Sequence, residues 1–348
     1  MARPPSRAKS AHKTPTILDV ARRAGVSPAT VSNVLIGIRG VREASRLSVI
    51  EAAKALGYKS NYMASSLRRG STRTVGVVVP NLANEYFSGL VRRWEQLAAK
   101  SGYEILVVSS EEDVVTETQR IQSAIARLVD GLLVITAQDD FGSAPDFPSE
   151  LPPTVLVDRA FGHAHFDTVA SDNEAAGYEG TRHLIKLGHR DIAILISADG
   201  RLHLRDRISG CHRALAEAGI ENRERLAIGG RSVEACRSVI EQELRRPDRP
   251  TAIFATTFFS TLGAIKAIHS LDIAFPRDIS LVAFEHSEWM TSFRPYLTAV
   301  SQLGDELAVH SWDVLMERIE KPSAKLKRIK IPIVLNVRES AQPIGIPR

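Results

Sequence analysis

Residues 16–35 read TILDVARRAGVSPATVSNVL, and this stretch decides how the start of the chain folds. Its apolar residues recur at helical spacing and predict a short helix over residues 17–24, which Thr16 caps and Gly25 ends. A second short helix is predicted over residues 28–36. Two short helices joined by a tight turn that contains glycine predict a helix-turn-helix, whose second helix fits the major groove of DNA.

The second helix shows which side chains would face DNA. Ser27 is placed to cap it, and proline suits the first helical position that follows. Its inward residues are predicted to be Val31, Val34 and Leu35. The outward side chains are short, which lets the helix backbone approach base edges; they are Pro28, Ala29, Ser32 and Asn33.

A third helix over residues 43–56 completes a small three-helix core. Gly57 is placed to end this helix. Its apolar stripe is predicted to consist of Leu47, Ile50, Ala53 and Leu56.

Residues 61–70, NYMASSLRRG, form a further helix candidate between Asn61 and Gly70. So short a helix is unstable alone in water, so we expect it to form only when packed on DNA and on a partner copy. Leu67 is then a candidate wedge for the minor groove. A linker leucine that packs on Leu56 or Tyr58 is the alternative, and both interpretations stay open.

Charge is distributed unevenly along the 348 residues. Residues 1–74 hold 14 Lys and Arg against three acids, a net charge of +11, whereas the rest of the chain holds 31 against 37, a net charge of −6. A basic head on a mildly acidic body is typical of a nucleic-acid-binding protein. A basic tail that only aids solubility is the alternative explanation.

From residue 74 onward, short β-branched runs alternate with helical stretches, which is typical of parallel sheets covered on both faces. More than about 250 residues of this pattern exceed one typical core, so we expect two α/β lobes with a ligand cleft at the facing strand ends. The chain is expected to cross between the lobes near residues 168–172, 297–302 and 321–330. The predicted divisions are a disordered basic arm at 1–15, the helix-turn-helix at 16–58, a hinge at 59–74 and an effector domain at 75–342, with lobe 1 at about 75–170 and 301–325 and lobe 2 at about 171–298 and 326–342.

No motif in the sequence predicts catalysis: there is no GxSxG elbow, HExxH pair, Walker loop or GxGxxG turn. Cys211 and Cys236 each lie in a predicted helix, where packing explains them. His163 and His165 could hold a metal, but histidines in loops are usually solvated. We therefore expect no enzyme activity, no cofactor and no metal.

No apolar run approaches the roughly 20 residues of a membrane helix. The basic N-terminus is not followed by the apolar segment of a secretion signal. We therefore expect a cytoplasmic protein that associates with the nucleoid and has no membrane partner.

Three stretches of the head resemble the lactose/galactose repressor (LacI/GalR-type) family: residues 16–35, VREASRLSVIEAAKALGY at 41–58, and the pattern Asn-x-x-Ala-x-x-Leu from Asn61. The resemblance implies a homodimer that places two recognition helices in successive major grooves of a pseudo-palindromic operator. Arg22 and Arg39 would contact phosphates. The DNA contacts that it implies are Thr16, Pro28, Ala29, Thr30, Ser32, Asn33, Arg42, Ala64, Leu67 and Arg68.

The head also departs from the family. Asn33 and Ser65 stand where the family often has arginine, and Ile36 stands where it often has asparagine. Asparagine suits bidentate recognition of adenine, whereas arginine suits guanine. The operator sequence therefore cannot be copied from a relative.

The body resembles the sugar-binding-protein-like effector domain of the same family, through Val79-Pro80-Asn81, Asp158-Arg159 and DISLVAFE at 278–285. The resemblance implies that a small effector in the cleft changes DNA affinity. Glu285 stands where the family usually has aspartate, and Thr257-Phe258 where it usually has Asn-Asp. The effector-binding residues that it implies are Tyr86, Phe87, Asp158, Arg159, Arg205, Arg207, Arg231, Thr257 and Glu285.

The arginines among these residues suggest which effector binds. Guanidinium groups bind carboxylate or phosphate bidentately, so Arg159, Arg205, Arg207 and Arg231 predict an anionic effector, a sugar acid or a sugar phosphate. Alternatively, two of them, Arg205 and Arg231, are solvated loop arginines paired with Asp206 or Glu234.

The sequence therefore predicts a sequence-specific DNA-binding repressor whose operator affinity is changed by a sugar, sugar acid or sugar phosphate bound between the lobes. The nearest alternative is a corepressor-dependent regulator with a purine-like ligand stacked on Tyr86 or Phe87. A solute-binding protein is a more distant alternative. Residues 340–348 are short and rich in proline, so a dimer is expected rather than a tetramer.

Overall fold

The described part of the first unit of the chain, Met1–Thr72, contains three short helices. They are α1 (Ile17–Ala24), α2 (Pro28–Ile36) and α3 (Glu43–Leu56), with the predicted bounds. The computed structural model describes residues 15–36, 40–58, 71–159, 165–197, 201–220, 225–285 and 287–345. The predicted arm and the hinge segment at 61–70 lie outside these residues.

The ends of the head helices follow from local side-chain chemistry. Thr16 and Asp19 form a capping box, in which the Asp19 carboxylate accepts from the Thr16 N–H at 2.9 Å. Gly25 ends α1 with a φ of +66°, in the left-handed region that favours glycine. The Ser27 hydroxyl caps α2 by accepting from the Thr30 N–H at 3.1 Å.

The stripe predicted on α3 is wrong at two positions. Leu47 and Ile50 are 55% and 45% exposed, whereas Val49 and Ala52 are buried against Val20 of α1. A helix turns about 100° per residue, so a stripe that starts at residue 49 recurs at 52, 53 and 56 and leaves 47 and 50 outside it. The prediction that Leu35 faces inward is also wrong, because this side chain is 36% exposed.

The second unit, Arg73–Arg348, contains two six-stranded sheets. Lobe 1 has the strand order β11-β5-β4-β3-β1-β2, and all its pairs are parallel. Lobe 2 has the order β12-β10-β9-β8-β6-β7, in which only β12 runs antiparallel to its neighbour. The strands are β1 (Thr74–Val79), β2 (Glu104–Ser109), β3 (Gly131–Val134), β4 (Thr154–Val157), β5 (Asp167–Ser171), β6 (Ile192–Ile196), β7 (Arg225–Ile228), β8 (Ala252–Ala255), β9 (Ser280–Phe284), β10 (Thr298–Gln302), β11 (Arg328–Ile331) and β12 (Ile333–Asn336).

Helices cover both faces of each sheet. On β1, Val77 packs with Trp94 and Trp312 on one face, and Val78 packs with Ile121 on the other. No helix in the described part of the chain is long and apolar enough to cross a bilayer. The helices are α4 (Glu85–Ser101), α5 (Val114–Ala126), α6 (Asn173–Lys186), α7 (Leu202–Glu217), α8 (Val233–Leu244), α9 (Phe258–Ser270) and α10 (Gly304–Glu320), with a 3₁₀ turn at Glu288–Thr291.

The chain crosses between the lobes three times, after β5, after β10 and after β11. The third crossing was expected within residues 321–330, with residues from 326 onward in lobe 2. Ile329 instead pairs with Val169 of lobe 1, so the crossing lies between β11 and β12. The strands β11 and β12 are each four residues long and are separated by one residue. No local sequence pattern shows that they belong to different sheets.

Candidate effector-binding site

A cavity of about 230 Å³ lies between the two lobes, where strand ends of both sheets meet. Its walls carry carboxylate, guanidinium, amide and aromatic side chains together. The lining residues are Asn81, Asn84, Phe87, Glu111, Glu112, Asp158, Arg159, Ser197, His203, Leu204, Arg207, Arg231, Thr257, Phe258, Phe259, Glu285 and Gln302.

Arg207 is fixed in the wall by the close approach of α6 and α7. Gly177 makes this approach possible, because a Cβ there would lie 1.8 Å from the Arg207 carbonyl oxygen. The guanidinium donates to Asn173 Oδ1 at 2.8 Å and to the Thr256 carbonyl at 2.6 Å. It lies 3.6 Å from the ring centroid of Phe284. Burial lowers the pKa of Arg207 to about 10, so the group remains a cation at neutral pH.

Two buried acids at strand ends lie near this cation, Asp158 after β4 and Glu285 after β9. Both have positive φ, +69° and +71°, which is strained for residues other than glycine and is often found at functional sites. Asp158 Oδ1 accepts from the Tyr86 hydroxyl at 3.0 Å and from Gln302 Nε2 at 2.7 Å. Burial raises the pKa of Tyr86 well above its ordinary value, so the phenol keeps the proton that it donates.

Glu285 is the less satisfied of the two acids. Its Oε2 atom is buried and has no hydrogen-bond partner within the described ranges. Burial raises the pKa of Glu285, the Arg207 charge lowers it and the Asp158 charge raises it again, with a result of about 7. A buried carboxylate oxygen without a partner can accept a hydroxyl hydrogen from a ligand in the cavity.

A second charged group lies on the loop between β2 and α5. Glu112 accepts from Arg159 Nη1 at 2.7 Å and Nη2 at 2.9 Å, and it also accepts from Arg201 of lobe 2. Arg159 in turn lies 5.2 Å from the ring centroid of Phe87.

His203 also lines the cavity. Burial, with the charges of Arg159, Arg207 and Arg201, lowers the pKa of His203 well below its ordinary value, so this imidazole is neutral.

Seven of the nine predicted effector residues line the cavity: Phe87, Asp158, Arg159, Arg207, Arg231, Thr257 and Glu285. Tyr86 is half-buried and reaches the site only through its hydrogen bond to Asp158. The placement of Arg205 in the cleft is wrong. This side chain is not among the cavity-lining residues: it is 58% exposed and lies 3.4 Å from Asp139 of lobe 1.

Several lining residues were missed by the sequence analysis, among them Asn84, Glu112, His203 and Gln302. Gln302 carried a usable signal, because it ends a strand and strand ends line such clefts. Glu112 carried none, since its two arginine partners are 47 and 89 residues away.

In the first unit, Thr16, Pro28, Ala29 and Arg42 are exposed, and Thr30 and Asn33 are half-buried. The prediction that Ser32 faces outward is wrong. It is only 8% exposed, because it lies next to the fully buried Val31 at the edge of the face that packs in the three-helix core. Ala64, Leu67, Arg68 and Arg39 lie outside the described residues, as does His163 of the histidine pair. No group of three potential metal ligands occurs within the described ranges.

Comparisons with known proteins agree on one family. Residues 16–61 match "Bacterial regulatory proteins, lacI family", and residues 72–339 match "Periplasmic binding proteins and sugar binding domain of LacI family". The HTH-type transcriptional repressor PurR of Photobacterium profundum is 30% identical over 95% of this chain and 99% of its own length. The ribose operon repressor of Escherichia coli K12 is 30% identical over 94% and 99%.

The solved structures agree with the sequence relatives. The Lac repressor bound to ONPG in the repressed state superposes with a TM-score of 0.83 at 26% identity, and the match covers 94% of this chain and 100% of that one. The family therefore matches both the three-helix head and the two-lobed body of the chain. The chain belongs to the LacI family, and it is a non-enzymatic DNA-binding transcriptional repressor with an effector-binding domain.

Proposed function

We propose that the chain is a cytoplasmic, dimeric repressor whose operator affinity changes when a neutral monosaccharide binds between the lobes. The observation that carries this proposal is the grouping of Asp158, Arg207 and Glu285 around one cavity. Sugar hydroxyls both donate and accept hydrogen bonds, and carboxylates beside a guanidinium supply acceptors and donors at once. One relative of this chain bears the name of the ribose operon.

The balance of charge favours a neutral ligand over the anionic one expected from the sequence. The described lining holds four carboxylates (Glu111, Glu112, Asp158 and Glu285) and three guanidiniums. Arg159 is held by Glu112, and Arg205 lies outside the cavity. Among the described lining residues, Arg231 alone is a largely exposed cation.

The size of the cavity supports a small ligand. Pockets for drug-sized molecules are typically about 300–1,000 Å³, whereas this cavity is about 230 Å³. A purine-like ligand stacked on Tyr86 or Phe87 is disfavoured, because Arg159 lies 5.2 Å from the Phe87 ring centroid and Tyr86 does not line the cavity. A single sugar ring fits these constraints best.

A thermal-shift panel on the full chain tests the proposal. It pairs D-ribose, D-glucose and D-galactose with their acids and phosphates and includes adenine. A neutral sugar at about 100 times its dissociation constant is expected to stabilise the chain by about 2.7 kcal/mol. The matched variant is Asp158→Asn, which keeps the shape of the side chain and is expected to lose this shift. Stabilisation by the acids, the phosphates or adenine, with none by any neutral sugar, would contradict the proposal.

A further inference from the structure

Glu112 joins two arginines that come from different lobes. Arg159 lies in lobe 1 and binds both carboxylate oxygens of Glu112, whereas Arg201 precedes α7 in lobe 2 and binds Oε2. A longer bond of 3.3 Å runs from Arg201 Nη2 to the Glu112 carbonyl. The two arginine side chains are only 11% and 7% exposed, so the group is closed off from most solvent.

Two guanidiniums that converge on one position form a typical receptor for an oxyanion. Their planar forks match the oxygen spacing of carboxylates and phosphates. Here the oxyanion belongs to the protein itself. Burial alone would raise the pKa of Glu112, but hydrogen bonds and charge from Arg159 and Arg201 outweigh it and lower the pKa to about 2. The carboxylate is therefore ionised throughout the physiological range.

We propose that Glu112 is a built-in counter-anion that occupies the oxyanion position between Arg159 and Arg201 and makes the cleft select neutral sugars against their phosphorylated or acidic forms. This inference rests on the proposed function, since it names the residue that sets the ligand class of the same site. An anionic ligand must either displace an ionised, doubly held carboxylate or lie beside it, and both are unfavourable.

The loop that carries Glu112 offers a matched control. Glu111 and Glu112 both have positive φ, +52° and +60°, and both line the cavity. The Glu111 carboxylate accepts from the Ser109 hydroxyl at 2.6 Å, and it forms no ion pair with an arginine among the described residues. Glu111→Gln thus removes the same charge from the same loop without releasing the two arginines.

Calorimetric titration of the full chain with inorganic phosphate tests the inference without a known effector. Glu112→Gln is expected to bind phosphate at least tenfold more tightly than the wild-type chain. Glu111→Gln removes the same charge from the lining but releases no arginine, so its gain in phosphate binding is expected to be clearly smaller. The double variant Glu112→Gln with Arg201→Gln is expected to lose the gain. Phosphate binding to Glu112→Gln no tighter than to Glu111→Gln would overturn the inference.

The wild-type chain provides a second test that does not depend on any variant folding. It is expected to bind D-ribose at least tenfold more tightly than ribose 5-phosphate, and the opposite preference would overturn the inference. The phosphate result stands apart from the identity of the sugar. If no sugar stabilises the chain while Glu112→Gln still gains phosphate binding, the proposed function fails and the role of Glu112 stands.

Discussion

The side-chain amide of Gln302, at the end of the β10 strand of lobe 2, donates a 2.7 Å hydrogen bond to the Asp158 carboxylate of lobe 1. The same amide donates to the Ser171 hydroxyl at 3.0 Å, where the chain first crosses between the lobes. Asp158 and Gln302 both line the cavity. The Asp158 carboxylate, which we propose binds the ligand, is thereby linked through Gln302 to the segments where the chain crosses between the lobes.

Gln302→Ala is therefore expected to weaken sugar binding about tenfold, because it removes a hydrogen bond to a charged acceptor at the cavity wall. Operator affinity without sugar is expected to stay within twofold of wild type. The control is Gln122→Ala, which removes an exposed 2.7 Å hydrogen bond from the Gln122 side-chain amide to the Asp146 carbonyl of lobe 1. Calorimetry with the sugar chosen by the panel checks the prediction, and equal losses in both variants would contradict it.

Glu285 predicts an unusual dependence of stability on pH. Its folded pKa of about 7 lies above the ordinary value, mainly because of burial, so the folded chain binds more protons than the unfolded chain between pH 4.5 and 7. Stability is therefore lost as the pH rises through this window. Relative to Glu285→Gln, the wild-type free energy of unfolding is expected to fall by about 3 kcal/mol between pH 4.5 and pH 8.

Tryptophan fluorescence during urea unfolding can measure this difference in the second unit alone, because all three tryptophans, Trp94, Trp289 and Trp312, lie there. Glu285→Gln is expected to be the more stable protein at pH 8 and equal to wild type at pH 4.5. A variant that is less stable than wild type at pH 8 would show that the buried carboxylate stabilises the fold.

The corrected stripe of α3 predicts opposite outcomes for two apolar residues. Val49→Ala is expected to lower the stability of the head by about 2 kcal/mol, because Val49 is fully buried. Leu47→Ala is expected to change it by less than about 0.5 kcal/mol, since that side chain is 55% exposed. Amide hydrogen exchange over residues 15–58 of the full chain measures both effects. A larger loss in Leu47→Ala would restore the stripe predicted from the sequence.

Asn33 and Arg42 are expected to affect DNA binding in different ways. Asn33→Ala should relax selection at one operator position by about 1–3 kcal/mol, because asparagine can read adenine bidentately. Arg42→Ala should weaken binding to all DNA sequences alike. It should also reduce the slope of log affinity against log salt concentration by about one, as expected for the loss of a phosphate contact. Selection from a random DNA library followed by salt titration separates the two. A uniform loss in Asn33→Ala would remove it from the base-reading set.

The head could be predicted from the sequence because its signals are local. Thr16, Gly25 and Ser27 each act within four residues of the backbone groups that they satisfy. The start of α7 shows the limit of this approach, since the helix begins at Leu202 and no neighbouring side chain caps it within the described structure. The Leu202 N–H donates to Asp139 Oδ1 at 3.1 Å, so a residue of the other lobe caps this helix.

The effector site was predictable only in part for the same reason. Residues such as Asp158 and Arg207 could be assigned because they lie in motifs that the family shares. The partners that decide their chemistry come from distant segments, as Asn173 does for Arg207. The net charge of the cleft therefore depends on which acidic side chains face the arginines. Counting the arginines in the sequence does not identify these acidic partners.

Operator binding measured by fluorescence anisotropy, with and without the stabilising sugar, tests most directly whether a neutral sugar in this cleft controls DNA affinity. The operator is the sequence selected by the full chain from a random library. For wild type we expect a change in operator affinity of at least tenfold on addition of the sugar, and for Asp158→Asn no change. Equal affinity with and without every neutral sugar of the panel, or an undiminished response in Asp158→Asn, would contradict the account.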